Sequence, residues 1–163
     1  MSASSDRNSA LTPTPGEREN GFKRLSKSVI SRALAMKLLR AAAAASRAAH
    51  APYSKFQVGA ALLTNRGVII TGCNVENASY GLTICAERNA IFHAVAGRRR
   101  GFNAIAIVAS GKQMPFPCGA CRQVLVEFGK PDMVVLVAPR AALSTYRAFT
   151  LGELLPHSFS FSN

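Results

Sequence analysis

Two short segments combine residue types that can do chemistry: Cys85-Ala86-Glu87 and Pro117-Cys118-Gly119-Ala120-Cys121. A Cys-x-x-Cys pair alone is shared by redox proteins and structural zinc sites. With Cys85 added, the set offers three soft ligands for a zinc ion. A closed structural zinc site needs four, so a fourth position is left for water. Cys73 could in principle close the site, but it sits at the end of a predicted strand, where a lone cysteine commonly serves as a small core hydrophobe. Glu87 lies two residues beyond Cys85 and can reach the same cavity without being a ligand. A carboxylate there is suited to take a proton from the water and hand it on, although an acidic residue in a first helical turn also suits the helix dipole.

Three thiolates on one Zn²⁺ leave a net charge of about −1, which makes a bound water a weaker acid than in a histidine-ligated site. Something must withdraw that charge. Each cysteine lies at the start of a predicted helix, whose N-terminus presents partial positive charge and unpaired N–H groups to the sulfurs. Arg88 and Arg122 are placed to add donors to the thiolates, a surface salt bridge being the plainer alternative for either.

The elements that must position these residues follow from periodicity and turn chemistry. Apolar residues at Val29, Ile30, Ala33, Leu34, Leu38 and Ala41 have helical spacing, and the predicted helix runs to about Ala49, before Pro52. Residues 57–64 and 68–74 flank Asn65-Arg66-Gly67 and predict a β-hairpin. A helix over 85–97, a buried strand over 104–109, a helix over 119–128 and a strand over 133–138 come next. The last piece is a strand over 145–150 before a helical turn at Leu-Gly-Glu-Leu-Leu. Only six residues, Pro139 to Ser144, separate that strand from the preceding one, too few for a parallel crossover, so it should run antiparallel to its predecessor. The fold class is α/β: one mixed five-stranded sheet with helices on both faces and right-handed parallel connections in its middle.

The 163-residue chain, 48% hydrophobic, can bury a core as one domain, which excludes a wholly disordered chain. Its most alanine-rich stretch is interrupted by Arg40 and Arg47 and cannot span a bilayer, so no membrane association is expected. No secretory signal is read upstream of the cysteines, so they are expected as reduced thiols or metal ligands and the protein as cytoplasmic. Residues 1–25 read as a disordered basic tail and 26–163 as the folded domain; Asp6, Glu17 and Glu19 argue against a transit peptide. The formal charge of +12 invites a nucleic-acid reading. Residues 1–49 and 50–163 each carry net +6, so the charge is spread, and Arg98-Arg99-Arg100 reads as a solvated helix end.

Beyond the zinc segments, Ala51-Pro52-Tyr53-Ser54-Lys55-Phe56, Val58-Gly59-Ala60-Ala61-Leu62, Asn74-Val75-Glu76-Asn77 and Leu154-Leu155-Pro156-His157-Ser158-Phe159 stand in order along the chain. With Cys85-Ala86-Glu87-Arg88 and Pro117 to Gln123, they resemble the small zinc-dependent cytidine deaminases over about residues 50–160. The resemblance implies a cytidine deaminase-like α/β/α fold and hydrolytic deamination of cytidine and deoxycytidine to uridine and deoxyuridine. It implies one zinc per chain on Cys85, Cys118 and Cys121, with Glu87 as the proton-transfer group. Cysteine in place of histidine as first ligand favours free nucleosides over polynucleotides. By the same resemblance Asn74 and Glu76 bind the ribose 3′-hydroxyl, Phe56 packs on the pyrimidine and backbone groups around Ala86 orient the base. The family is homotetrameric, which implies that Phe159 reaches a neighbouring chain's site. A buried carboxylate facing a 3′-hydroxyl would repel a 3′-phosphate, so no nucleic-acid partner is expected despite the charge. His93 is read as structural. The rival readings are a blasticidin-type deaminase, a polynucleotide deaminase and a structural zinc or redox-thiol protein.

Overall fold

Ser31 caps the first helix by accepting a hydrogen bond from the Leu34 N–H at 3.2 Å, and α1 (Arg32–Ser46) buries Ala35, Leu38, Leu39, Ala42 and Ala43 along one stripe. It stops six residues short of Pro52, because Ala48 and Ala49 already turn back to the carbonyls of Ala45 and Ser46 in tightened turns. The computed structural model describes residues 30–161. The expected tail over 1–25 and the expected helix start at Val29 lie outside the described residues.

The remaining elements are β1 (Val58–Thr64), β2 (Ile69–Cys73), α2 (Ala86–Ala96), β3 (Phe102–Ala109), α3 (Gly119–Phe128), β4 (Gly129–Pro139), β5 (Arg147–Thr150) and α4 (Leu151–Leu154). They form a five-stranded sheet of order β2-β1-β3-β4-β5. The hairpin turns where Gly67 takes φ 78°, a conformation open to glycine. β3 and β4 are parallel neighbours joined through α3, and β5 returns antiparallel on β4, as the short connection requires. β1 is antiparallel to both β2 and β3, so those two run in the same direction on either side of it.

The two-residue period of the strands divides the core between the faces. Ala61, Leu63, Ala104, Ala106 and Leu136 pack under α1; Ala60, Leu62, Ile105, Ile107 and Val135 pack under α2 and α3. Two glycines set how closely the helices approach. A Cβ on Gly59 would lie 2.1 Å from the Ala42 carbonyl oxygen in α1, and one on Gly72 would lie 2.4 Å from the Ala90 nitrogen in α2. The backbones touch there because no side chain intervenes.

Candidate active site

Because β2 and β3 share a direction, the helices that follow them start at the same edge of the sheet. Ligands in open α/β sheets gather outside those carboxyl ends. Cys85 is the N-cap of α2, Cys118 is the N-cap of α3, and Cys121 lies in the first turn of α3. Their three sulfurs lie within 4.8 Å of one another. Cys73 is not in that cluster; it ends β2, and its carbonyl accepts a hydrogen bond from Asn89 Nδ2 at 2.8 Å.

A cavity of about 250 Å³ opens beside the sulfurs, lined by Cys85, Cys118, Ala86 and Glu87 together with Phe56, Asn74, Glu76 and Phe116. Glu87 is 4% exposed, and burial, with the Cys85 charge adding to it, pushes its carboxyl up to about 7. A carboxyl so placed is poised to exchange a proton near neutrality.

Residues 33–137 match the model of the cytidine and deoxycytidylate deaminase zinc-binding region. The chain is 48% identical over 123 residues to a cytidine deaminase of Halalkalibacterium halodurans, covering 76% of this chain and 92% of that protein. A crystal structure of cytidine deaminase from Burkholderia pseudomallei is similar with a TM-score of 0.72 and 48% identity, covering 80% of this chain and 100% of that one. The chain belongs to the cytidine deaminase family. A blasticidin-S deaminase of Bacillus cereus is a more distant relative, 30% identical over 115 residues, covering 66% of this chain and 79% of that protein.

The donor set fits the zinc of this family. Three soft sulfurs converge, and the groups around Cys85 favour its thiolate. The Cys121 thiol and the Arg88 guanidinium donate to Cys85 and pull it down to about 5, against the opposing effect of burial. Cys121 moves the other way, its proton held by that hydrogen bond and by burial. Arg88 Nη2 lies 3.7 Å from Cys85 Sγ and 3.2 Å from the Thr83 carbonyl oxygen. The helix N-termini contribute unequally: the Cys121 N–H donates to Cys118 Sγ at 3.5 Å, while Cys85 receives no such bond from α2.

Arg122 differs from expectation. Its Nε donates to the Pro117 carbonyl at 2.8 Å and its Nη1 to the Leu154 carbonyl at 2.9 Å, so it braces the turn before Cys118 against the C-terminal segment. Carbonyl oxygens are better acceptors than sulfur, and two of them flank this guanidinium.

Asn74 and Glu76 also face the backbone. Asn74 Oδ1 accepts from the Val58 N–H at 2.7 Å and its Nδ2 donates to the Phe56 carbonyl at 2.9 Å, which fixes the strand entry beside the cavity. Glu76 is half-buried rather than buried. It accepts from the N–H groups of Tyr53 and Ser54 at 2.9 and 3.2 Å and from the Ser54 hydroxyl. The Ser54 hydroxyl is the main reason its carboxyl lies below the usual carboxylate range. The Phe56 ring is 41% exposed on the cavity wall, where a planar base could cover it. Phe159 does not line this chain's cavity. Its ring is 65% exposed, 5.1 Å from the Phe161 ring, and its carbonyl accepts from Gln123 Nε2 at 2.8 Å. His93 is exposed on α2, with Nδ1 3.4 Å from the Thr71 carbonyl oxygen and no place in the cavity.

Ser54 and Phe116 join the site without a chemical signature of their own in the sequence. Ser54 lies inside the Ala51–Phe56 motif and Phe116 immediately before the Pro117-Cys118 turn, so adjacency to those motifs was the available signal.

Proposed function

We propose that this chain hydrolyses the 4-amino group of free cytidine and deoxycytidine, giving uridine and deoxyuridine with release of ammonia. The observation that carries the reading is a single cavity lined by Cys85 and Cys118 of the three-sulfur cluster, by the buried Glu87 and by the partly exposed Phe56. Zinc held by Cys85, Cys118 and Cys121 supplies Lewis acidity that makes water a competent nucleophile near neutral pH.

The chain's own residues do the rest. Glu87 takes a proton from the attacking water and delivers it to ring N3 as oxygen bonds to C4. Glu87 then takes the proton of the new C4 hydroxyl and passes it to the departing amine, so ammonia leaves and the C4 carbonyl forms. Arg88 keeps Cys85 anionic by donating to its sulfur. Phe56 packs on the pyrimidine and backbone groups around Ala86 orient it. Glu76 takes the ribose 3′-hydroxyl, with Asn74 positioning the Phe56–Val58 backbone beside it and keeping one amide hydrogen for the sugar. A 3′-phosphate would meet the Glu76 carboxylate, which disfavours a polynucleotide substrate.

The assembly we propose is a homotetramer in which Phe159 of each chain reaches a neighbour's pyrimidine site, and the compartment is the cytoplasm. Among the described residues no helix is long and apolar enough to cross a membrane. The test is an ultraviolet assay of zinc-loaded protein against cytidine, blasticidin S and a cytosine-containing single strand. Turnover of cytidine well above the other two supports the reading. Preference for blasticidin S or for the strand would replace it with the corresponding rival.

A further inference from the structure

The fold gathers Arg98, Arg99 and Arg100 with a fourth guanidinium. Arg66, in the β1–β2 turn, lines a cavity of about 410 Å³ together with these three, Thr64, Asn65 and Gly97, and none of the lining residues is acidic. This cavity lies at the opposite end of α2 from Cys85. The 11 residues of that helix separate the two by roughly 16 Å at 1.5 Å per residue.

The plain explanation for cations here is that they complement the C-terminus of α2. The backbone already does much of that work: the N–H groups of Gly97, Arg98 and Arg99 bond to the carbonyls of His93, Val95 and Ala94. Among the described residues, the hydrogen bond from these guanidiniums is that of Arg99 Nη1 to the Gly97 carbonyl, at 3.4 Å. Arg98 moreover holds φ at 57°, a left-handed conformation unfavourable for a residue with a side chain. Four like charges around one cavity repel each other and favour a polyvalent anion. The wall is firm, since Thr64 is 2% exposed and its Oγ1 accepts from the Val68 N–H at 3.0 Å. The volume suits a small ligand rather than a continuing strand.

We propose that this cavity binds a condensed phosphate, a di- or triphosphate chain, whose oxygens the planar guanidiniums can grip in pairs. The chain could be inorganic or carried by a nucleotide, and both share this chemistry. The test is calorimetric titration of the full chain at fixed ionic strength with inorganic triphosphate, adenosine triphosphate, inorganic monophosphate and a single-stranded oligonucleotide.

Saturable one-to-one binding of triphosphate, tighter than that of monophosphate, is expected. Equal affinity for the two triphosphates assigns the source to the phosphate chain alone, and tighter binding of the adenosine form assigns it to a nucleotide. Arg98→Gly, which also relieves the backbone, and the double variant Arg66→Gln/Arg100→Gln should each weaken binding roughly ten-fold or more. Arg40→Gln, exposed on α1 across the sheet, should leave it unchanged, and cytidine turnover should be unaffected in all three. Undiminished binding in the cavity variants, an equal loss in Arg40→Gln, or tighter binding of a single-stranded oligonucleotide through the same arginines would overturn the proposal.

Discussion

Burial separates Glu87 from the other carboxyls of the described chain, and its neighbours turn that burial to use. Burial, with the Cys85 charge adding to it, sets its proton affinity high where the proposed reaction relays a proton. Glu87→Gln keeps the shape and should retain zinc and fold while turnover falls by roughly 10²-fold or more, read by steady-state kinetics beside metal analysis. Glu76 is tuned the opposite way by Ser54. Glu76→Gln should raise the KM for cytidine roughly ten-fold or more, from the loss of a charge-assisted hydrogen bond, with zinc still in place. Processing of 3′-deoxycytidine as readily as cytidine by the unaltered protein would remove the 3′-hydroxyl from its role. The same carboxyl gives a pH signature. Its folded value lies below the ordinary 4.5, so its stabilising effect is complete above pH 4.5 and is lost as pH falls through the lowered value. Urea midpoints of Glu76→Gln and the unaltered chain should therefore differ near neutrality and converge in acid.

At the scale of elements, the site exists because two helices begin at one edge of the sheet, and Gly72 lets the first of them lie close. Gly72→Ala would put a methyl 2.4 Å from the Ala90 nitrogen and 2.7 Å from the Ala86 carbonyl oxygen. Moving α2 aside should cost about 1 to 3 kcal/mol in urea unfolding and weaken zinc retention, because Cys85 rides on that helix start. Much of this level could be read from sequence. Local chemistry marks its own limits at the Asn65–Gly67 turn, at the cysteine starts of α2 and α3, and in the short link that forces β5 antiparallel. What escaped depended on distant partners. β4 begins at Gly129 rather than near Met133, since its polar, Pro131-containing first residues are held by pairing with Phe102 across an irregular register. Arg122 binds carbonyls of Pro117 and Leu154, the second 32 residues away, and Asn74 clamps Phe56 and Val58; no local pattern announces either contact. The cysteine triad was readable because its spacing is itself the signal.

For the whole molecule, the C-terminal segment leaves apolar surface that its own chain does not cover. Phe159 and Phe161 are 65% and 85% exposed beside one another, an apolar pair that suits burial against a second copy. In the proposed tetramer, deleting residues 157–163 should raise KM without removing zinc. Light scattering of the intact chain at micromolar concentration should give four times the chain mass, and a fully active monomer would contradict both the assembly and the shared site. The central claim, however, joins the metal to the reaction. It is tested most directly by following the ultraviolet change of cytidine to uridine in samples of graded zinc content. Activity should rise in proportion to zinc up to one ion per chain, vanish with chelation and return when zinc is restored. Full turnover in zinc-free protein, or a fully loaded protein that leaves cytidine unchanged, would contradict it.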